Sequence, residues 1–167
     1  MLSVIILCGG ASAEAVVRTL APLVDATVRG IVRDVVLAGG PERQLALIAD
    51  HAGCAFIEAD MEAEVLAGAL AAARGDALMF LHAGHIPEPG FFEEVEDVLA
   101  VGLGPGGRVL RAAPEGFLER LFPHLAAKVG LVAARNVCET AQPVSFRHLC
   151  AKTRGPKELR RRMRRIV

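Results

Sequence analysis

Residues 2–10 read LSVIILCGG, an apolar run rich in β-branched side chains that stops at two glycines. Continuous apolar character over this length is typical of a strand covered on both faces in a parallel sheet. Ser12 suits a helix N-cap, and apolar residues follow it at helical spacing. They are Val16, Val17, Leu20, Leu23 and Val24. The start of the chain therefore predicts a strand, a tight turn and a helix in succession.

The same unit recurs along the first half of the chain. Residues 31–38, 54–57 and 77–82 are short apolar runs, and each predicts a further strand. Helices are predicted between them, one with Pro41 as its first residue and one over residues 62–73. Such alternation predicts a three-layer α/β fold of the Rossmann-like kind, with a mostly parallel sheet and helices on both faces. Ligands of these folds bind at the carboxyl ends of the strands.

The second half of the chain gives weaker signals. We predict helices after Pro89-Gly90 and over residues 117–125, and strands at 108–111 and 129–133. Leu159, Met163 and Ile166 form an apolar stripe that predicts a final basic helix. No repeat or linker divides the sequence, so we predict one domain over residues 1–150 and a basic C-terminal helix or tail over 151–167.

Composition restricts the class of protein. The chain has 167 residues, of which 53% are hydrophobic and 23% charged, which is typical of a folded domain. No apolar run approaches the roughly 18 residues of a membrane span, and the apolar start lacks the basic flank of a signal peptide. The four cysteines form no CxxC pair, which indicates reduced core residues in a cytoplasmic protein.

Charge is unevenly distributed although the formal net charge is zero. Residues 152–167 contain eight Lys or Arg and one Glu, so this segment carries +7 and the rest of the chain carries −7. A basic end on an acidic body favours an anionic membrane surface, at the inner face, or an acidic protein as partner. The alternative is a terminal helix packed on its own domain. The acidic body and the lack of interleaved aromatic residues in the tail disfavour nucleic acid as a partner.

Three segments together resemble family 2 glycosyltransferases. They are residues 3–6 (SVII), 33–40 (RDVVLAGG) and 73–83 (ARGDALMFLHA). Residues 87–91 (PEPGF) and 130–135 (GLVAAR) are similar to later motifs of that family, and the order of all five agrees with it. The resemblance implies a GT-A fold that binds a nucleotide-sugar donor together with Mg²⁺ or Mn²⁺ and transfers the sugar to an acceptor.

The resemblance also implies the position of a nucleotide-sugar cleft. Its candidate residues are Gly9, Gly10, Ala38, Gly39, Gly40, His82 and Gly84. The family's base-contacting Asp corresponds to Ala38, a further acid of that loop to Arg43, and the metal-binding Asp to Gly84. Residues 143–150 (PVSFRHLC) contain no carboxylate where the family carries its acceptor-side acids. We therefore expect a weak or altered transferase with a degenerate active site, or a non-catalytic binding or scaffolding domain, and assign no catalytic residue.

The cofactor stays open at this point. A metal ion bound with the nucleotide-sugar and no cofactor at all are equal alternatives. His82 and His85, three residues apart, could ligate a borderline metal such as Zn²⁺, but they lack an evident third ligand, which favours structural roles.

The first glycine turn admits one further interpretation. Residues 7–14 (LCGGASAE) are similar to the glycine loop of nucleotidyltransferases that act on sugar phosphates and molybdopterin. The basic residue of that loop corresponds to Glu14, which has the wrong charge for phosphate. Nucleotidyl transfer is therefore a third hypothesis.

Overall fold

The computed structural model describes residues 1–104, 106–114, 116–122, 126–153 and 157–166. Strands and helices alternate through the first half: β1 (Leu2–Leu7), α1 (Ala13–Val28), β2 (Val32–Gly39), α2 (Arg43–Ala52), β3 (Ala55–Glu58), α3 (Glu62–Ala72) and β4 (Ala77–His82). The second half adds β5 (His85–Pro87), α4 (Phe91–Val101), β6 (Arg108–Arg111), α5 (Phe117–Leu121), β7 (Lys128–Ala134), α6 (Arg135–Ala141), α7 (Phe146–Lys152), β8 (Lys157–Glu158) and β9 (Met163–Arg165). The predicted strand and helix succession of the first half is confirmed.

The main sheet is mostly parallel, as predicted. Among the described residues seven strands pair in the order β3-β2-β1-β4-β7-β6-β8. Strand β1 runs parallel to both β2 and β4, and Leu7 lies beside Ala38 on one side and His82 on the other. Strand β7 runs antiparallel to its neighbours β4 and β6. The loops after β1, β2 and β4 therefore meet at one edge of the sheet.

Apolar cores cover both faces of the sheet. Alternating side chains of β1 point to opposite faces: Val4 and Ile6 join a core with α1, α2 and α4, whereas Ile5 and Leu7 join a core with α3, α6 and α7. Both faces are fully buried, which accounts for the continuous apolar run in the sequence. The predicted three-layer α/β architecture is confirmed.

Strand β7 packs against its neighbours with no room for a side chain at Gly130. A Cβ atom there would collide with the carbonyl oxygen of Phe80 on β4 and would lie 2.6 Å from Cδ1 of Leu110 on β6. Real Cβ atoms essentially never approach so closely. Glycine at this position therefore permits the register of three strands.

The ARGD motif of residues 73–76 lies at the amino end of β4, at the opposite sheet edge from those loops. The backbone N–H of Gly75 donates to the Ser3 hydroxyl at 2.6 Å, and Asp34 accepts from the same hydroxyl and from the Arg74 backbone. Arg135 donates to the Gly75 carbonyl oxygen at 2.9 Å. The motif therefore joins β1, β2, β4 and α6, which is a structural role.

The prediction of a final basic helix is wrong. The described part of the tail forms β8 and β9, and Leu159 and Met163 are buried in the domain. Backbone N–H groups of Arg160 and Arg161 donate to the carboxylate of Glu94, and that of Arg162 donates to Glu88. These distant carboxylates and the pairing of β9 with β5 replace the hydrogen bonds of a helix.

Three smaller differences concern element ends. Helix α2 begins at Arg43 and not at Pro41, which lies in the preceding turn. Helix α5 ends at Leu121 and buries none of its residues, while Leu125 of the predicted helix lies outside the described residues. Helices α6 and α7 had not been predicted. The division into residues 1–150 and 151–167 stays a prediction, although the tail contributes β8 to the main sheet.

Within the described residues no helix combines the length and the apolar character needed to cross a bilayer.

Candidate functional site

Two cavities open at the sheet edge where β1, β2 and β4 end. The β2-side cavity has a volume of about 360 Å³. It is lined by Leu7, Gly9, Ala38, Gly39, Gly40, Ala59, Asp60, Glu62, Val65 and His82. The tail-side cavity has about 520 Å³ and shares Gly9 with the first. The charged or polar residues that line the tail-side cavity are His85, Glu119 and Arg165.

The structure brings all the candidate cleft residues together around these cavities. Five line the β2-side cavity: Gly9, Ala38, Gly39, Gly40 and His82. Gly10 and Gly84 line the tail-side cavity, as does His85. Both cavities are open to solvent, so the cleft is not filled by side chains. That these residues bind a ligand stays a prediction.

Sequence reasoning missed two carboxylates of the β2-side cavity. Asp60 and Glu62 follow β3, whose end lies beside β2, and both line the cavity next to Ala38. Glu62 also accepts a hydrogen bond from the backbone N–H of Phe146 at 2.7 Å, which fixes its position. The available signal was their place directly after a predicted strand of a parallel sheet. Acidic groups are therefore present in the cavity although Ala38 replaces the family's acid.

His82 lines the β2-side cavity, and its imidazole is neutral at pH 7. Its ring packs edge-on against Phe146, with ring centroids 4.7 Å apart. Burial lowers the pKa of His82 below its usual 6.5, the charge of His85 lowers it further, and Glu62 partly opposes the change. An uncharged imidazole at this position packs against Phe146 and can still donate or accept a hydrogen bond.

We expect the free energy of unfolding to decrease as the pH falls below about 6.5, the ordinary pKa of histidine. The unfolded chain takes up a proton at residue 82 there, whereas the folded protein resists uptake until the lower folded-state pKa is reached. The stabilisation is fully present above pH 6.5 and is lost below it. Urea denaturation of the wild type and His82→Gln between pH 5 and 8 measures this, and the variant should show the shallower pH dependence. Parallel curves would contradict the prediction.

The loop at Gly84 is held between α1 and the tail. The backbone N–H of Gly84 donates to the Thr19 hydroxyl at 2.9 Å, and its carbonyl oxygen accepts from the N–H of Ile166 at 2.8 Å. Gly84 has a positive φ of 84°, a conformation that few side chains adopt. The position that corresponds to the family's metal-binding Asp therefore has no side chain, and its backbone is held by hydrogen bonds to α1 and to the tail.

A divalent cation does not fit this set of residues. Mg²⁺ and Mn²⁺ require several oxygen ligands, yet within the described ranges no three His, Cys, Asp or Glu side chains are grouped closely enough to hold a metal ion. His82 packs on Phe146, and Nδ1 of His85 lies 3.2 Å from the carbonyl oxygen of His82. No third ligand joins the two histidines in this part of the chain, and we derive no step through a metal.

The cysteines are free thiols, and three of the four are buried. Burial raises the pKa of Cys8 to about 11 and that of Cys138 to about 12, so both stay protonated at neutral pH. Cys8 directly follows β1 and precedes the glycine turn, but a thiol in this state is a poor nucleophile. Three of the four cysteines are core residues as predicted, whereas Cys54 is only half-buried, and their reduced state stays a prediction.

At pH 8 we expect iodoacetamide to modify Cys54 well before Cys8 or Cys138. Burial raises the pKa of Cys54 as well, but that thiol is only half-buried. A pKa of about 11 at Cys8 lowers the thiolate fraction about 100-fold relative to an ordinary thiol, and deeper burial hinders access further. Mass spectrometry of proteolytic fragments after timed alkylation measures the order. Modification of all four thiols at one rate, as occurs in urea, would contradict it.

The sheet order, the reversed β7 and the cleft at the ends of β1, β2 and β4 define a GT-A-type fold, the fold of nucleotide-sugar glycosyltransferases. Among solved structures, the chain is similar to glucosyl-3-phosphoglycerate synthase from Mycobacterium tuberculosis in complex with phosphoglyceric acid. That match has 20% identity and a TM-score of 0.59, and covers 95% of this chain and 69% of the other. Mannosyl-3-phosphoglycerate synthase from Rubrobacter xylanophilus matches with 17% identity and a TM-score of 0.58 over all of this chain and 67% of its own.

A third similar structure contains a metal ion and a nucleotide. It is the M. tuberculosis synthase in complex with Mn²⁺, uridine diphosphate and phosphoglyceric acid, with 22% identity and a TM-score of 0.52. The match covers 81% of this chain and 56% of the synthase, so the chain spans just over half the length of that enzyme. No protein-family model and no curated protein matches the sequence. At these identities the likeness establishes the fold alone.

Proposed function

We propose that this protein binds a nucleotide-sugar in the two cavities and transfers the sugar with weak or altered activity. The observation that carries the proposal is that two open cavities, which share Gly9 in their linings, lie at the edge where ligands of parallel α/β folds bind. Support comes from the fold, since solved neighbours were crystallised with uridine diphosphate or UDP-glucose.

The shape of the cleft suggests how a donor would lie. The nucleoside occupies the β2-side cavity, where Asp60 and Glu62 accept hydrogen bonds from N–H groups of the base or from ribose hydroxyls. The diphosphate passes Gly9 and Gly10, whose lack of side chains lets it approach the backbone. The sugar then lies in the tail-side cavity.

The tail-side cavity supplies a carboxylate for the acceptor. Glu119 on α5 lines it, whereas residues 143–150, where the family's acids were expected, form a turn and α7. A carboxylate in this place can take the proton of an attacking hydroxyl. We assign Glu119 this role as part of the proposal.

Isothermal titration with UDP-, GDP- and dTDP-sugars, with and without Mn²⁺, tests the function. We expect binding of at least one donor, and Asp60→Asn should weaken it about fivefold because a hydrogen bond to a partly exposed charge contributes roughly 1 kcal/mol. Asp50→Asn, an exposed carboxylate on α2 away from both cavities, is the matched control. Silence across the panel would contradict the proposal and favour the scaffolding hypothesis. Release of pyrophosphate from CTP or GTP would favour nucleotidyl transfer.

Association with an anionic membrane surface is a second candidate function. Helix α5 exposes apolar side chains, with 79% of Phe117, 65% of Leu118 and 59% of Leu121 accessible. The segment before it lies beside the tail, since the N–H of Ala113 donates to the carbonyl oxygen of Met163 at 2.7 Å. We propose that α5 inserts at the headgroup level while exposed tail arginines contact the lipid phosphates.

Co-sedimentation with vesicles tests this second function. Vesicles with about 30% anionic lipid should bind the protein more strongly than neutral vesicles, since each arginine near the surface contributes about 1 kcal/mol. Phe117→Ser should reduce binding, and Val101→Ser, an equally exposed apolar residue at the end of α4, should not. Equal binding to both kinds of vesicle, or none, would contradict it. Binding to an acidic protein without vesicle binding would favour the alternative partner.

A further inference from the structure

The tail crosses the loop at which the family's metal ligand is replaced by glycine. Strand β9 pairs antiparallel with β5, so that Arg165 lies opposite His85, and the next residue, Ile166, donates its N–H to the Gly84 carbonyl oxygen. Arg165 lines the tail-side cavity together with Gly9, Gly10 and Gly84. A cationic side chain is therefore placed at the cavity in which the proposed function puts a diphosphate.

We propose that Arg165 supplies the positive charge that holds the diphosphate of the nucleotide-sugar, so that donor binding requires no divalent cation. The inference rests on the proposed function and specifies which residue balances the negative charge of the donor's diphosphate. A guanidinium is always protonated and presents a planar fork of N–H donors that matches two phosphate oxygens. It can replace the electrostatic part of a metal ion without the oxygen ligands that Mg²⁺ or Mn²⁺ needs.

The backbone that carries Arg165 is fixed on both sides. Met163 is completely buried, and its carbonyl oxygen accepts from Ala113, while Ile166 is bonded to Gly84. Side chains alternate along a strand, which places Arg164 on the face opposite to Arg165. Both arginines are exposed, but Arg165 lines the tail-side cavity and Arg164 does not. The two arginines therefore carry the same charge on the same strand in different surroundings.

The charges of the cavity set the orientation of the donor. Glu119 lies on α5, whereas Arg165 lies on the strand paired with β5. A carboxylate repels phosphate, so the diphosphate lies against the glycines and Arg165, and the uncharged sugar lies toward Glu119. This arrangement keeps the cation with the leaving group and the carboxylate with the acceptor. It agrees with the absence, within the described residues, of a cluster of metal-ligating side chains.

Titration of the full chain with UDP and GDP, in EDTA and in Mn²⁺, tests the inference. We expect the wild type to bind at least one nucleotide equally well in both buffers. Arg165→Gln should weaken binding at least about tenfold in EDTA, as expected for a charge-assisted contact to phosphate. Arg164→Gln, which removes the same charge from the opposite face of β9, should change the affinity less than about twofold. Arg165→Lys keeps the charge without the fork and should lie between them.

The outcomes separate this inference from the proposed function. Nucleotide binding that appears only with Mn²⁺, or equal losses for Arg165→Gln and Arg164→Gln, would overturn the inference and leave the function standing. Absence of binding in every buffer would overturn both. Thermal denaturation of each variant controls for folding, and Arg165→Lys provides the comparison if Arg165→Gln does not fold.

Discussion

Replacing Gly130 with alanine should lower the free energy of unfolding by about 3 kcal/mol, a cost at the upper end of that for overpacking a core. The new Cβ would meet backbone of β4 and the side chain of Leu110 on β6, so two strand pairings must move to admit it. In an open strand the same substitution is mildly stabilising, because glycine is the more flexible residue in the unfolded chain. The effect therefore measures close packing and not intrinsic strand preference.

Urea denaturation followed by circular dichroism provides the measurement, with Gly116→Ala as the control. Gly116 precedes α5, has a negative φ of −110°, and would place its Cβ in open space. Because alanine is a poorer N-cap than glycine, we expect that variant to lose no more than about 1 kcal/mol. A stability of Gly130→Ala equal to that of the control would show that β7 lies in a different register.

Gly84→Asp should weaken nucleotide binding in EDTA by at least about tenfold, because a carboxylate within several ångströms of a diphosphate costs roughly 2 kcal/mol at a partly exposed site. The substitution restores the acid that the family carries at this position, but it supplies one ligand only. Since a hard cation requires several oxygens, we expect Mn²⁺ to recover a small part of the loss.

Gly84→Asn isolates the effect of charge in that experiment. Asparagine and aspartate have the same shape, and both tolerate the positive φ of residue 84 better than other side chains do. The nearest heavy atom to a new Cβ, that of Ala15, lies 3.9 Å away, so neither variant is crowded. Isothermal titration with UDP should find Gly84→Asn close to the wild type. Equal losses in both variants would show that strain or bulk, and not charge, lowers the affinity.

The first four strands were predictable because their signals are local. The apolar runs of β1, β2 and β4 are followed by glycines, and apolar cores lie on both faces of the sheet, so the pattern does not depend on which helix covers which face. The direction of β7 was not predictable, since an apolar strand reads the same in a parallel or an antiparallel pair. Helices α6 and α7 are too short for a clear helical period.

The tail shows why the rest of the fold was out of reach. Its apolar stripe at Leu159 and Met163 fits a helix by spacing, yet both side chains are buried from short extended segments. The carboxylates of Glu88 and Glu94, more than sixty residues earlier, accept the backbone N–H groups that decide the conformation. Tertiary contacts of this kind override local propensity.

The part of the site that the first strands form was predictable from the sequence, and the part that the later elements add was not. The glycine turns after β1 and β2 and the loop after β4 follow from the strand pattern, and the structure brings them together. Glu119 and Arg165 reach the cleft only through the placement of α5 and β9. The resemblance predicted the fold well because the first part of its main motif, residues 73–76 of 73–83, joins several strands and a helix. It carries no information on the reaction.

The pairing of β9 with β5 closes the tail-side cavity with a segment about eighty residues further along the chain. Because such long-range pairing forms slowly, we expect the wall at Arg165 to assemble late in folding. Three residue pairs of β5 and β9 hold this wall together with the Ala113–Met163 and Ile166–Gly84 hydrogen bonds, and we expect it to open locally at a lower cost than global unfolding. Ligand affinity is then coupled to the opening equilibrium of the tail, and a bound nucleotide should slow hydrogen exchange at the Ile166 amide.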